Sequence, residues 1–192
     1  VDFSKYLPLS QRRTGEEAAA TSDRRQDVAL VVERALQLAL AAPVERGDEL
    51  ARGFAEASAL LSEKDAAAFA VDDLGGLASD VRTGRKRSIA ALSRAVRALL
   101  VLADELGVAA GVEPLTLGSV ALYAATSGPF DRRAAIKGHT VRATDAVWRF
   151  GHGPELSATA EQIARFLLAL SDTPPRRTAP GEEPGRGLSR PT

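Results

Sequence analysis

Two histidines, His139 and His152, are the chain's full complement of imidazoles, and it contains no cysteine. A metal centre with nitrogen ligands has only these two to draw on, and no thiolate can extend it. A zinc or iron centre needs three or four nitrogen, oxygen or sulfur ligands converging at about 2.0–2.3 Å. His139 and His152 can supply two of them if a hairpin brings its ends together, with Asp145 or Glu155 as a third. The simpler reading is that turn and strand-end histidines hydrogen-bond locally, and on that reading no metal or other cofactor is implied. Between them lies Trp148, the sole tryptophan. Its large ring and N–H suit an anchor that packs a hairpin against the last helix better than a ligand-stacking platform. His139, Asp145, Trp148 and His152 form the candidate ligand-binding set, and no residue is assigned a catalytic role.

The densest basic run is Arg82, Arg85, Lys86 and Arg87, at the start of the longest periodic segment. Cations at a helix N-terminus oppose its dipole by roughly 0.3–1 kcal/mol each at exposed sites. The run therefore reads either as a solvated face or as a local anion-binding patch. No aromatic residues interleave with it, as a single-strand stacking platform would require. Lys plus Arg equals Asp plus Glu at 25 each, so no overall field concentrates nucleic acid or anionic lipid on the chain. Nucleic acid is accordingly not the expected partner, and a DNA-associated regulator acting through Arg82 to Arg87 ranks behind the other readings. The sequence holds no nucleophile elbow, P-loop or dinucleotide fingerprint. Gly118-Ser119 falls at a helix start, and Gly151-His152-Gly153 lacks the strand–turn–helix spacing of a phosphate cradle.

The elements that must position these residues are mostly helices. A first helix is predicted over 22–42, capped by Ser22 or Asp23 and closed by Pro43. Its stripe is Val28, Val31, Val32, Ala35, Leu36, Ala39 and Leu40. A second spans 48–61 through Leu50, Phe54, Ala57 and Leu61. Ser62 with Asp65 opens a third, which carries Ala66, Phe69 and Ala70 and should hinge or break at Gly75-Gly76. The longest runs over 85–106, with Ile89, Leu92, Val96, Leu99, Leu100 and Ala103 on one face and Gly107 as its left-handed cap. A shorter helix follows over 117–125 and stops at Ser127-Gly128-Pro129.

The pattern then alternates over 139–144 and again over 147–150, which reads as a small β-hairpin. Gly151-His152-Gly153-Pro154 is turn chemistry. Thr159 with Gln162 makes a capping box for a helix through Ile163, Phe166, Leu167 and Leu170, ended by Pro174-Pro175. The expected fold class is mainly α: a helical bundle over 16–130, with a hairpin and closing helix over 131–172 packed on it. An irregular arm is expected over 1–15. Its Phe3, Tyr6, Leu7 and Leu9 could strap onto a core. A disordered tail is expected over 173–192, where Pro, Gly, Arg and Glu predominate.

Apolar residues make up 45 % of the chain but aromatic ones only 5 %, so Ala, Leu and Val dominate, a mixture that favours helices over strands. Without cysteine a disulfide-stapled secreted module is excluded. The first ten residues lack the apolar run of a signal peptide, and no segment approaches the roughly eighteen apolar residues of a membrane span. A cytoplasmic location with no membrane partner is the expectation. Ala-rich helix faces are compatible with a homodimer or a protein partner.

The most specific signal lies at 138–170: Gly138-His-Thr-Val-Arg-Ala-Thr-Asp145, then Trp148, then Gly151-His-Gly-Pro-Glu155, then an apolar helix ending at Leu170. This segment resembles the C-terminal module of the mycothiol-dependent maleylpyruvate isomerase family. In that family a Thr-Asp turn, a Trp, a Gly-x-Gly-Pro turn and a closing helix recur. The resemblance covers about a sixth of the chain. It implies a preceding DinB-like four-helix bundle that holds a divalent metal through three histidines and uses a low-molecular-weight thiol. Residues 1–130 contain no histidine, so those ligands have no counterparts here. Two expectations follow: a non-catalytic helical binding or interaction protein first, and a divergent thiol-dependent isomerase or transferase second. The latter requires a pocket between bundle and hairpin that is lined by polar groups.

Overall fold

A computed structural model describes residues 23–177. The predicted arm at 1–15 and residues 178–192 of the predicted tail lie outside the described residues. Helices hold 61 % of the described residues, so the chain is mainly α, as its small apolar side chains imply. In order they are α1 (Arg25–Ala41), α2 (Val44–Ser58), α3 (Glu63–Ala67), α4 (Asp73–Thr83), α5 (Ile89–Leu106), α6 (Pro114–Ser127), α7 (Phe130–Ile136) and α8 (Ala160–Leu167). Strands β1 (Thr140–Ala143), β2 (Arg149–Gly151) and β3 (Glu155–Ala158) precede α8, and β4 (Arg176–Arg177) follows it.

The bundle forms around α1 and α5. α1 packs on α2, α4 and α5, and α2 also packs on α5. Val28, Val32 and Ala35 of α1, Phe54 of α2, Leu74 and Val81 of α4, and Leu92, Val96, Leu99 and Leu100 of α5 are all buried there. Ala29, Ala51, Ala95 and Ala103 fill the spaces between them, and small side chains let helix axes approach closely. α5 is bounded by the two signals its sequence carries. The Ser88 hydroxyl accepts the Ala91 N–H, and Gly107 takes the left-handed conformation at φ 65°. Arg85, Lys86 and Arg87 consequently precede this helix rather than opening it.

Several sequence expectations are corrected. Leu40 belongs to no core stripe: it is 61 % exposed, and Leu38 takes its place inside. α2 starts four residues early because Pro43 initiates it, and it ends at Ser58, with Ala59 left-handed at φ 50°. The third helix is a single short segment, α3, and the break comes after it rather than at Gly75-Gly76. Those glycines lie inside α4, whose Leu74, Leu77, Ala78 and Val81 bury one stripe. Each glycine costs about 1 kcal/mol against alanine, less than burying one leucine or valine returns at about 1.5–3 kcal/mol. α6 begins at Pro114, a favoured first-turn position, with the Glu113 carboxylate accepting the Thr116 N–H at 3.0 Å.

The C-terminal part holds more sheet than a hairpin. β1 pairs with β2 antiparallel, with Val141 opposite Phe150, as the alternation predicts. However, β1 also pairs with β3 in parallel, with Val141 opposite Leu156, and β4 adds antiparallel to β3. The sheet order is β2-β1-β3-β4. Arg176 and Arg177, assigned to a disordered tail from composition, are thus the edge strand. α6 joins the two halves, packing on α5 and on α8.

Asp23 ties the start of α1 to the loop before α5. Its Oδ1 accepts the backbone N–H of Arg25 (3.2 Å) and of Arg87 (3.3 Å), and its Oδ2 accepts from the Arg25 guanidinium at 2.8 Å. Desolvation opposes its ionisation, yet these donors outweigh it and hold the carboxyl below the usual carboxylate range. A depressed carboxyl stabilises the fold above its ordinary titration range, and that contribution is lost as pH falls through the lowered value. Asp23→Asn should therefore lower the unfolding midpoint at pH 7 and narrow its gap to wild type in strong acid. A gap that widens on acidification would contradict the tie.

Leu99 and Leu40 provide a matched test of the core assignment. Leu99→Ala should cost about 2–5 kcal/mol in urea unfolding, whereas Leu40→Ala should stay within about 0.5 kcal/mol of wild type. Equal losses would mean that α1 faces the core differently.

Candidate functional site

α6 is apolar on nearly every side, which suits a helix covered from two directions. Its Gly118 is where the ribbon seats. A Cβ at that position would lie 2.8 Å from the Trp148 indole, so only glycine leaves room for the ring. The indole Nε1–H donates to the Pro114 carbonyl at 2.8 Å. Trp148 therefore anchors the hairpin on α6, a correction to the expectation that it packs on the last helix. It also stacks on Phe150, with ring centroids 6.0 Å apart and planes 12° apart.

Asp145 fastens the other end of the ribbon. Its Oδ1 accepts the Ala160 N–H at 2.6 Å, at the first turn of α8. The Thr159 hydroxyl accepts the Gln162 N–H, and the Gln162 side chain accepts the Thr159 N–H, completing the predicted capping box. Three N–H groups that a helix start leaves without partners are thereby satisfied. Asp145 thus acts as a helix-capping group.

The turn between β2 and β3 crosses the start of β1. Thr140 donates its N–H to the Pro154 carbonyl at 3.0 Å and its hydroxyl to the Gly153 carbonyl at 3.1 Å. Gly151 and Gly153 have φ 86° and 114°, and a Cβ on either would collide with the carbonyl oxygen of His139 or Gly138. This crossing brings His139 and His152 to one edge of the ribbon.

Beside that edge runs a groove of about 660 Å³, bounded by α6, α7 and the ribbon. Leu122 and Ala125 of α6, Phe130 and Ala134 of α7, and Phe150 of β2 form its apolar wall. Phe130 is 78 % exposed and Leu122 52 % exposed, so this wall is open to water. Arg133, Lys137, His139 and His152 also line it, and no carboxylate does. Of these, Arg133 is engaged with the end of α6, donating to the Gly128 carbonyl at 3.0 Å. His139 Nδ1 lies 3.2 Å from the Lys137 carbonyl. Lys137 and His152 make no ion pair among the described residues.

Of the candidate set, the structure places His139 and His152 in the groove and leaves Asp145 and Trp148 outside its lining, as supports. Among the described residues no group of three or more His, Asp or Glu is arranged to hold a metal ion. Of the basic run, Arg82 is already engaged. Arg82 pairs with Glu33 at 2.7 Å and donates to Gln26. Burial and the neighbouring Arg85 lower the Arg87 guanidinium from its usual value, and its side chain is half-buried while Arg85 and Lys86 are exposed. Sequence reasoning missed Phe130, Arg133 and Lys137 because the segment around α7 is too short to display a period, and Leu122 because nothing in an apolar helix marks which leucine stays exposed.

A second recess, about 440 Å³, lies between β3, α8 and β4 and includes Arg165. That side chain is already committed to Asp104 of α5 (2.7 Å) and Glu161 (2.8 Å). Burial works against its charge, and the two carboxylates more than compensate. The pair thus joins α8 to the bundle.

The chain matches no protein-family profile, no curated protein and no solved structure. No helix among the described residues is long and apolar enough to cross a membrane.

Gly118→Ala tests the seat of the ribbon. The added methyl gains about 1 kcal/mol of helix propensity but overpacks the indole at about 1–3 kcal/mol. The expected result is net destabilisation in urea unfolding with a red-shifted Trp148 emission. A stabilised variant with unchanged emission would place the indole elsewhere.

Proposed function

We propose that this chain is a non-catalytic binding module whose ligand site is the groove between α6, α7 and the β1–β2 ribbon. The observation that carries this reading is the groove's lining: exposed Leu122 and Phe130, continuous with Phe150, beside four basic or imidazole side chains and no carboxylate. Its size falls within the roughly 300–1,000 Å³ common to small-molecule sites. Thr126 brings the lining's only hydroxyl, and it is donated to the Tyr123 carbonyl at 2.8 Å. Among the described residues no hydrogen bond joins it to His139 or His152, which supports binding over nucleophilic chemistry.

A divergent thiol-dependent enzyme is the second reading. It is favoured by one observation, that a groove of about 660 Å³ lies between the helices and the ribbon carrying both histidines, although its wall is mainly apolar where that reading expects polar groups. The groove offers Lys137 and His152 to a thiolate or a carboxylate. Turnover of a thiol-dependent isomerisation, lost on replacing both histidines, would establish that reading over the first.

The binding reading is tested with Nile red, an uncharged apolar dye, against the folded protein. It should bind at one site and quench Trp148, which reports on the groove through its stacked partner Phe150. Leu122→Asp and Phe130→Ser, both at exposed positions, should weaken binding at least tenfold while leaving the far-ultraviolet spectrum unchanged. Binding that ignores both substitutions would sink the assignment.

A further inference from the structure

We infer that the groove selects a small amphipathic anion, a molecule with a plain aliphatic or aromatic body and one anionic head group. The inference rests on the binding reading above and adds to it the chemical class of the ligand. Two walls of different character carry it. On one side Leu122, Phe130 and Phe150 present apolar surface with no hydrogen-bonding groups, so only a body without polar edges can be desolvated there without loss. On the other, Lys137 and His152 stand without ion-pair partners among the described residues.

The charge asymmetry is local and therefore informative. The whole chain balances 25 basic against 25 acidic residues, and the arginines of α7 and α8 are already engaged. Arg132 joins Asp131 and Asp172, and Arg133 donates to the end of α6. Arg165 holds Asp104 and Glu161. Lys137 is different: it follows the last turn of α7 with no carboxylate in the groove to neutralise it. An anionic head beside it gives Lys137 a partner that the described residues do not supply, whereas a cationic head meets repulsion from every charged group in the lining.

Two alternative occupants fit less well. A nucleotide brings an anionic phosphate and a planar ring, but the base edge carries several donors and acceptors. The apolar wall would leave these unpaired, at a cost that stacking on Phe130 must first overcome. A helical peptide of three turns is a cylinder about 10 Å across and 16 Å long. Such a helix would seat only one face in this open groove and leave the Lys137 end to a single acidic side chain.

The test uses decanoate, its uncharged analogue decanol, adenosine monophosphate and an acidic amphipathic helical peptide, each titrated into the full chain with Trp148 emission as the readout. Decanoate should bind at least tenfold more tightly than decanol. Lys137→Glu should weaken decanoate at least tenfold while changing decanol less than twofold, and Lys137→Met with His152→Gln should give the same separation without introducing a new charge. Added salt should weaken decanoate and leave decanol unaffected.

Equal affinity for decanoate and decanol, or indifference of decanoate to both Lys137 variants, overturns the anion selection even where Nile red still occupies the groove. Tighter binding of adenosine monophosphate, or of the acidic peptide, with the same dependence on Lys137 also overturns it, in favour of that occupant. If Nile red ignores Leu122→Asp and Phe130→Ser, the groove itself is misassigned, a failure separate from that of its selectivity.

Discussion

Gly118 lacks the one carbon atom that would keep Trp148 off the backbone of α6, and the arrangement of the C-terminal half follows from that vacancy. The indole lies where a side chain would stand and donates its N–H to Pro114. The height of the ribbon above α6 is therefore set by contact between a rigid ring and a rigid helix, not by a layer of adaptable side chains. Because Trp148 stacks on Phe150, the same contact fixes one wall of the groove. A glycine in a helix interior sacrifices about 1 kcal/mol, and the buried area of an aromatic ring together with its hydrogen bond more than restores it.

From that seat the ribbon is held at two further points. Asp145 fastens it to the first turn of α8, and the Gly151–Gly153 crossing presses the β2–β3 turn onto the start of β1. Both glycines have positive φ, and their Cβ positions are occupied by carbonyl oxygens, so the crossing cannot loosen without losing the Thr140 hydrogen bonds. α8 in turn is held to α5 by Arg165 and to α7 by Arg132, whose guanidinium lies 5.0 Å above the Phe166 ring. Three interlocked contacts thus determine where His139 and His152 stand, although neither histidine takes part in any of them through a bond that shapes the fold.

The helical half was legible in the sequence because its signals are redundant. α5 combines a sustained 3.6-residue period with a terminal glycine, and the two agree on its C-terminal end, whereas its start falls at Ile89, after the Ser88 cap, four residues later than the period suggested. Where one signal stood alone, it misled. Gly75-Gly76 looked like a break because backbone entropy was weighed without the stripe of Leu74, Leu77, Ala78 and Val81 that outweighs it. Leu40 looked buried because periodicity locates a face but does not say how much of that face a neighbour covers. β3 and β4 were missed for a different reason: four and two residues respectively are too few to alternate visibly, and their pairing depends on a crossing that only the assembled ribbon creates. Of the groove's lining, only the two histidines were singled out in the sequence, whereas Arg133, Lys137 and the apolar residues around them were not. Leu122 and Phe130 carry no mark that separates an exposed apolar side chain from a buried one.

That last distinction bears directly on the groove. Singly exposed apolar residues such as Leu30 or Val44 are normal on any protein surface. Leu122 and Phe130 differ because they share one concave surface with Phe150. Covering a phenylalanine or a leucine returns about 1.5–3 kcal/mol each, so the pair leaves several kcal/mol of hydrophobic free energy unrealised in the free protein. A ligand recovers only part of it, because association itself consumes several kcal/mol of translational and rotational freedom. The apolar wall alone would accordingly hold a small molecule weakly and without discrimination. On the proposed binding reading, Lys137 and His152 at its margin, with no carboxylate in the lining among the described residues, leave the choice among apolar ligands to the charge of the head group.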